Sequence, residues 1–239
     1  MTARRAALAA VAALALTGAS TGTARAQSCP AIVGKVTHLA LITASGMRTS
    51  FGELLLYSRD TRDASWKAVG TTHRVWLGQN GLAWGPGFTR YAQHGEPLKR
   101  ESDWRSPAGI YKIGAPFGFD ASQRRGYVRI KAAETFCVDD VRSPAYNTIT
   151  TIAKAGRFSG ERMSEFPEYR HGLFIDYPST HARPADSCIF IHLSSGDSTA
   201  GCIAMAEDVL IALQDFAESG AVIAVIPRTG LKRFKGCLP

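Results

Sequence analysis

Apolar residues recur along the chain in short runs, which glycine, proline and charged residues separate. These runs predict strands over residues 36–43, 51–57, 64–69, 73–77, 172–177 and 188–192. Residues 78–87 and 114–118 are rich in glycine and proline; the first range is predicted to be a loop or a hairpin and the second a loop. Apolar residues are sparse over 148–170, where one or two short surface helices are expected. The pattern therefore predicts a mainly β fold with a few short helices.

The pattern becomes helical after Cys202. Apolar residues then follow at intervals of four, four and three and form one stripe: Met205, Val209, Leu213 and Phe216. Gly220 is a typical helix stop, and 221–226 is a fully apolar strand that ends at Pro227. The Gly201-Cys202 step is therefore predicted to open onto the last helix.

The first 26 residues have the composition of an export signal. Arg4 and Arg5 precede an apolar stretch, 6–16, that is too short to span a bilayer, and Ala24-Arg25-Ala26 is a small-x-small cleavage site. Residues 1–26 are therefore predicted to be a signal peptide, and 27–239 a single domain. No later segment is long and apolar enough to span a bilayer, so we expect a soluble periplasmic or secreted protein without an integral membrane segment.

The chain has 239 residues, of which 45% are hydrophobic, and a formal net charge of +8. Such a composition is typical of a globular protein and argues against disorder. A basic exported protein is attracted to anionic wall polymers, although an ordinary surface with excess arginine explains the charge equally well. The basic residues are not interleaved with aromatic ones, so no nucleic-acid partner is predicted. Nucleotide-loop and zinc-site spacings are absent, and neither a cofactor nor a metal is expected.

The candidate chemistry lies in residues 187–205. The apolar run 189–191 predicts a buried strand that ends at His192, and Gly201-Cys202 follows after a polar loop. A cysteine becomes a nucleophile when a nearby imidazole or helix N-terminus favours its thiolate. Gly201 permits close backbone approach, so the amides of Gly201 and Cys202 are candidate oxyanion donors. A buried structural cysteine and a core histidine would produce the same pattern.

Three blocks, in the same order, resemble the L,D-transpeptidase catalytic domain family (YkuD type), whose members remodel peptidoglycan. That family has a strand-end His followed by Ser/Thr-x-Gly-Cys, and the matching residues are His192, Thr199, Gly201 and Cys202. Residues 99–111 resemble the family's Lys-x-Glu-Gly-Asp-x-Arg-Thr-Pro-Ala-Gly-x-Tyr/Phe block, and 137–147 resemble a block of one branch, in which Thr-Ala-Gly-Cys recurs. The resemblance implies a β-sandwich-like catalytic fold with its site where the last helix begins.

The reaction that the resemblance implies is acyl transfer between peptidoglycan stem peptides. Cys202 would attack the carbonyl after the third stem residue, a diamino acid, and release the terminal D-residue. His192 would act as acid and base, and the thioester would pass to an amine or to water. The Thr199 hydroxyl would donate towards the substrate or brace its own loop.

Further residues are candidates for substrate binding. Lys99, Asp103 and Arg105 would contact the carboxylates of a stem peptide, although internal ion pairs are the commoner meaning of such a run. Tyr146 and Asn147 would edge the pocket or serve as turn residues.

Two positions depart from the commonest family motif. Ala200 stands where a second His precedes Gly-Cys, and Ala204 stands where an Arg follows the cysteine. Loss of that Arg removes a cation that would bind a carboxylate with two hydrogen bonds. Transfer and hydrolysis therefore both remain open. The alternatives are an L,D-carboxypeptidase and a catalytically silent wall-binding domain.

Five cysteines in an oxidising compartment leave one thiol over. If Cys202 is the free one, the other four pair in one of three ways. We favour a bond between Cys29 and Cys237, which ties the termini, and one between Cys137 and Cys188, beside the catalytic strand.

Overall fold

The structure is a computed structural model that describes residues 29–239. Its strands are β1 (His38–Ala44), β2 (Phe51–Ser58), β3 (Lys67–Trp76), β4 (Leu82–Trp84), β5 (Ser106–Gly118), β6 (Val128–Arg129), β7 (Thr135–Val138), β8 (Ile149–Thr151), β9 (Gly160–Arg162), β10 (His171–Asp176), β11 (Phe190–Leu193), β12 (Ile203–Met205) and β13 (Val222–Pro227). The α-helices are α1 (Ile152–Ala155) and α2 (Glu207–Ala217). Short 3-10 helices cover Val33–Lys35, Thr89–Tyr91, Met163–Glu165, Pro167–Arg170 and Arg228–Phe234. The predicted mainly β fold with a few short helices is confirmed.

The large sheet closes on itself. Its strands pair in the order β10-β11-β12-β3-β2-β1-β13-β5, and β5 pairs back with β10, which makes a mixed barrel. Strand β13 lies between β1 and β5 and is buried over its whole length. A central strand of this kind has a continuous apolar sequence because both of its faces are covered.

Two predictions about the boundaries of strands are wrong. Residues 64–69 and 73–77 are not separate strands, because β3 runs through Gly70 and pairs along β2 with one irregularity. Residues 114–118 are not a loop but the second half of β5, which pairs with β10. Glycine is required there by crowding, since a Cβ at Gly118 would lie 2.3 Å from the Arg170 carbonyl oxygen. Glycine is therefore present here because two chain segments lie very close together, and not because the chain turns.

The predicted start of the last helix is also wrong. Residues Ile203–Met205 form the buried strand β12, and α2 begins at Glu207, after Ala206 in an extended conformation. The apolar stripe of α2 packs on the barrel, and the Gln214 side-chain amide donates to the Gly172 carbonyl oxygen at 2.9 Å. The Gly-Cys step therefore precedes a strand, and no helix N-terminus lies at the cysteine.

A small sheet in the order β8-β7-β9 lies outside the barrel, with α1 beside it. The Cys137–Cys188 disulfide ties β7 to the segment before β11, and the Cys29–Cys237 disulfide joins the two ends of the described chain. Both favoured pairings are confirmed. The predicted signal peptide, 1–26, lies outside the described residues. Across residues 29–239, none of the helices has the length and apolar character needed to cross a membrane.

Candidate active site

Strands β11 and β12 bring His192 and Cys202 to one face of the barrel wall. They are parallel neighbours with Ile191 opposite Ile203, and both of these isoleucines face the barrel core. Because side chains alternate along a strand, His192 and Cys202 face the other side. On that side lies a second apolar cluster, the outer cluster: Phe117, Ile130, Cys137, Met163, Tyr169, Cys188 and Phe190, with Cys202 packed against it.

The Cys202 thiol is the free thiol among the cysteines of residues 29–239. Its Sγ accepts a hydrogen bond from the Phe190 N–H at 3.3 Å and donates to the Cys188 carbonyl oxygen at 3.4 Å. Burial raises the pKa of this thiol well above its usual range, and the carboxylate of Glu161 raises it further. The resting thiol is therefore protonated. Within the described residues, no hydrogen bond joins it to the His192 ring.

His192 is held as a neutral imidazole. Its Nδ1 lies 2.8 Å from the Leu193 carbonyl oxygen, which can only accept, so Nδ1 carries the proton and Nε2 keeps its lone pair. Burial lowers the pKa of the ring, although this hydrogen bond and Glu168 oppose the shift. A neutral ring fixed by a carbonyl has the tautomer required of a general base.

Two hydroxyl groups hold the backbone at the cysteine. Thr199 Oγ1 donates to the Cys202 carbonyl oxygen at 2.7 Å and accepts from the Gly201 N–H at 3.1 Å. Ser106 Oγ donates to the same carbonyl oxygen at 2.9 Å and accepts from the Gly78 N–H at 2.8 Å. The Thr199 hydroxyl thus braces its own loop. Sequence reasoning missed the role of Ser106, although this residue lies inside the second resembling block.

Gly201 has a φ of +157°, and a Cβ there would lie 3.1 Å from Ile189 and 3.3 Å from the Asp186 carboxylate. The site therefore needs a residue without a side chain. Of the two amides predicted as oxyanion donors, the Gly201 N–H is already bonded to Thr199. The Cys202 N–H has no such partner among the described residues, so it is the better candidate.

A cavity of about 340 Å³ opens beside the cysteine. Its lining residues are Glu101, Ser102, Asp139, Glu161, Asp186, Ser187, Cys188, Ile189, Ala200, Gly201 and Cys202. Ser102, Asp186 and Cys188 have φ values of +54°, +74° and +55°, a conformation that costs energy for residues other than glycine. Four carboxyl groups line this cavity although the whole chain is basic, so the cavity suits a cationic group.

The side chains predicted to bind substrate carboxylates instead bind groups of the protein itself. The Lys99 side chain is fully buried, and its Nζ lies 2.5 Å from both Asp103 Oδ1 and Asp186 Oδ2. Arg105 donates to backbone carbonyls, including that of Met47 at 3.2 Å. Lys99 thus holds the cavity wall at Asp186, and Arg105 holds backbone segments outside the cavity lining.

The 146–147 turn supports the same wall from the other side. The Tyr146 hydroxyl, in a residue that is 4% exposed, donates to Glu101. Asn147 accepts from the Cys188 N–H at 3.0 Å and donates to the Tyr177 carbonyl oxygen at 2.9 Å. Both side chains thus fix the loop next to the cysteine.

The two departures from the motif lie in different surroundings. Ala204 is opposite His192 in the β11–β12 register and is 1% exposed, so a longer side chain would have to displace its neighbours. Ala200 is exposed at the mouth of the cavity. The described site thus lacks a cation at either position.

Glu161 and Tyr169 complete the surroundings of the thiol, and sequence reasoning missed both. They lie in the polar stretch between the predicted strands, where no periodicity marks either residue. They come to the cysteine only because β9 pairs with β7 and the Pro167–Arg170 turn packs against β11.

Comparisons with known proteins leave the family unassigned. No family model and no curated protein sequence matches the chain. Among solved structures, the chain is similar to L,D-transpeptidase 1 of Mycobacterium tuberculosis, with 13% sequence identity and a TM-score of 0.33 over 80% of this chain. The match spans 62% of that protein. A likeness at this level adds nothing to the argument, so membership of the L,D-transpeptidase family remains a prediction from the sequence motifs.

Proposed function

We propose that residues 27–239 form a single catalytic domain, an exported cysteine L,D-transpeptidase that acts on peptidoglycan stem peptides. The observation that carries the proposal is the free thiol of Cys202, which borders a cavity on the same face as the neutral ring of His192. The motif blocks around both residues support the same reaction. The two disulfides agree with an oxidising compartment outside the cytoplasm.

The reaction has two steps. The Cys202 sulfur attacks the carbonyl after the diamino acid of the donor stem, the peptide C–N bond breaks, and the terminal D-residue leaves with its amine protonated. The thioester then passes to the amine of a second stem, which forms a cross-link, or to water, which leaves a shortened stem. His192 acts as the acid and base, since Nε2 of its neutral ring keeps the lone pair that accepts a proton.

The cavity favours a particular part of the donor. Its carboxyl groups attract the side-chain ammonium of a diamino acid and repel a stem carboxylate. The Cys202 N–H would stabilise the oxyanion of the tetrahedral intermediate. Gly201 and Thr199 shape the loop that aims this N–H. Lys99 and Tyr146 position the cavity wall through Asp186 and Glu101, and Arg105 supports the neighbouring backbone.

A second candidate is a catalytically silent wall-binding domain. The observations that favour it are the raised pKa of the Cys202 thiol and the lack of a thiol–imidazole hydrogen bond within the described site. In this case the basic surface alone would bind anionic wall polymers.

The test is mass spectrometry of defined tetrapeptide muropeptides incubated with the protein from residue 27. Cys202→Ala and His192→Ala are assayed alongside. Cross-linked dimers or exchange of the terminal D-residue, lost in Cys202→Ala, are the expected result. Tripeptides alone would identify a carboxypeptidase. Unchanged muropeptides, together with binding to isolated wall by wild type and both variants, would establish the silent domain.

A further inference from the structure

Tyr169 lies at the centre of the candidate site. It is 4% exposed, and its ring packs edge-on against the rings of His192 and Phe190, with centroids 5.4 and 5.6 Å apart. Its hydroxyl donates to Glu161 Oε2 at 2.8 Å, and Tyr169 packs with Cys202 in the outer cluster, where the phenol and the thiol shift the pKa of one another. The phenol is therefore hydrogen-bonded to a carboxylate and packed in the same cluster as the sulfur, whereas the His192 ring makes a hydrogen bond to neither group in the described residues.

Glu161 is placed to exchange protons at neutral pH. It lies on β9 opposite Cys137, and its side chain lines the same cavity as Cys202. Burial raises the pKa of its carboxyl group to about 7, and Asp139 and Asp186 add to the shift against the opposing hydrogen bond from Tyr169. A carboxyl group with such a value is half ionised where a general base has to work.

We propose that Tyr169 is a further catalytic residue, which carries the proton of the Cys202 thiol to Glu161. This inference rests on the proposed function, in which Cys202 is the nucleophile. As the sulfur attacks, the S–H turns away from the Cys188 carbonyl oxygen, and its proton passes to the phenolic oxygen while the phenolic proton passes to Glu161 Oε2. When the C–N bond breaks, the proton returns by the same route to the leaving amine, so Tyr169 stays neutral. This route replaces His192 in the first step and leaves Nε2 of its neutral ring to accept the proton of the incoming amine or water in the second step.

The charges around the thiol allow proton transfer to Glu161 to be distinguished from a purely electrostatic effect of Glu161 on the Cys202 thiolate. Cys202 faces the carboxylates of Glu161 and Asp186 and the phenol of Tyr169. Glu161 in turn faces Asp139, Asp186 and Tyr169, with Glu101 across the cavity, and His192 faces Glu168. As a mere charge, ionised Glu161 disfavours the thiolate, and its removal would speed reactions of the thiol. As a proton acceptor, it assists them, and its removal would slow them.

The experiment measures the rate at which iodoacetamide alkylates Cys202, from pH 5 to 10, in the full chain from residue 27. The variants are Glu161→Gln and Tyr169→Phe, which keep the shape of each side chain. The matched controls are Glu165→Gln and Tyr127→Phe, at residues outside the cavity lining. We expect the wild-type rate to rise through pH about 7, as Glu161 ionises. Both site variants should lose that rise and react about 10-fold more slowly at pH 8, while the controls match wild type.

Faster alkylation of Glu161→Gln at pH 8 would overturn the proposal and leave Glu161 a purely electrostatic neighbour. Unchanged rates in both variants would overturn it as well. Urea unfolding of each variant shows whether its fold is intact. A variant that unfolds early is replaced by Glu161→Asp, which retains a carboxylate and should retain the pH-dependent rise. Because alkylation needs no peptidoglycan, a failed muropeptide assay with this rate pattern intact would overturn the proposed function alone.

Discussion

Two glutamates show how the surroundings of a residue set its chemistry. Burial with one phenol as partner raises the pKa of Glu161 to about 7, whereas Glu96 accepts from both guanidinium nitrogens of Arg233 at 2.6 and 2.7 Å, which lowers its pKa to about 2. Trp84 Nε1 also donates to Glu96, at 2.8 Å. Ionised Glu96 therefore stabilises the fold above pH about 4.5, and this contribution is lost as the pH falls towards 2. For Glu161 the sign is reversed, since its ionisation weakens the folded state as the pH rises through about 7.

Glu96→Gln should lower the free energy of unfolding by about 2 kcal/mol at pH 7, because Arg233 loses its charged partner. The loss should shrink at pH 2.5, where the wild-type carboxyl group is itself close to protonation. Urea denaturation at both pH values measures this, with the exposed Glu165→Gln as the control. Equal losses at the two pH values would show that the charge of Glu96 is not what matters.

At the scale of elements, the paired strands β5 and β10 are packed so tightly that a side chain on one strand occupies the space beside the other. A Cβ at Gly172 of β10 would lie 2.1 Å from the ring of Phe117, which packs against Phe190 and Phe174 behind the site. The same β5 begins at Ser106, whose hydroxyl holds the Cys202 carbonyl. One strand therefore supports both the outer cluster and the backbone at the cysteine.

Gly172→Ala should destabilise the protein by about 2 kcal/mol or more, because the Phe117 ring has to move within a packed cluster. Thermal or urea unfolding measures the loss. Gly34→Ala is the control, since nothing lies within 4 Å of a Cβ at that position. Equal stability of the two variants would contradict the crowding argument.

Ser106→Ala should cost about 1–3 kcal/mol, because the buried Gly78 N–H loses its acceptor and the Cys202 carbonyl loses one of its two donors. We also expect a changed rate of Cys202 alkylation, since the backbone at the cysteine is held less firmly. Ser122→Ala, at an exposed hydroxyl, is the control. An unchanged unfolding curve would show that water satisfies both backbone groups.

At the scale of the whole molecule, two disulfides constrain different parts of the chain. The bond between Cys29 and Cys237 spans 208 residues, and the bond between Cys137 and Cys188 spans 51 residues beside the cavity. Both restrict the unfolded chain, and the restriction grows slowly with loop length. Their effects on the site should differ, because the second bond, and not the first, includes a residue that lines the cavity beside Cys202.

The double variant Cys29→Ser with Cys237→Ser should lose about 3–5 kcal/mol of stability in urea unfolding. Its Cys202 alkylation profile should match wild type, since these cysteines lie outside the cavity lining. The double variant Cys137→Ser with Cys188→Ser should lose a similar amount and also alter that profile. Identical alkylation profiles in the two double variants would contradict a separate role for the second bond.

Much of the β fold could be predicted because strand formation leaves a local record. The runs at 51–57, 172–177 and 221–226 match β2, β10 and β13 within one or two residues, since burial requires apolar side chains wherever a strand faces the core. The prediction of a loop at 114–118 is wrong because glycine occurs both in turns and where neighbouring strands lie very close together. The predicted helix begins too early because Met205 lies four residues before Val209, as in a helix, although Met205 belongs to the short strand β12.

The sequence by itself determined several of the long strands, the presence of the last helix and the thiol and imidazole of one motif, because each depends on neighbouring residues. Only the tertiary structure decided which groups surround that thiol. Lys99 meets Asp186 across 87 residues, and Glu161 and Tyr169 reach Cys202 from a segment without periodicity. A charged or phenolic side chain acts through whatever lies within a few ångströms of it. Its role is therefore set by how distant segments pack, which a local pattern does not encode.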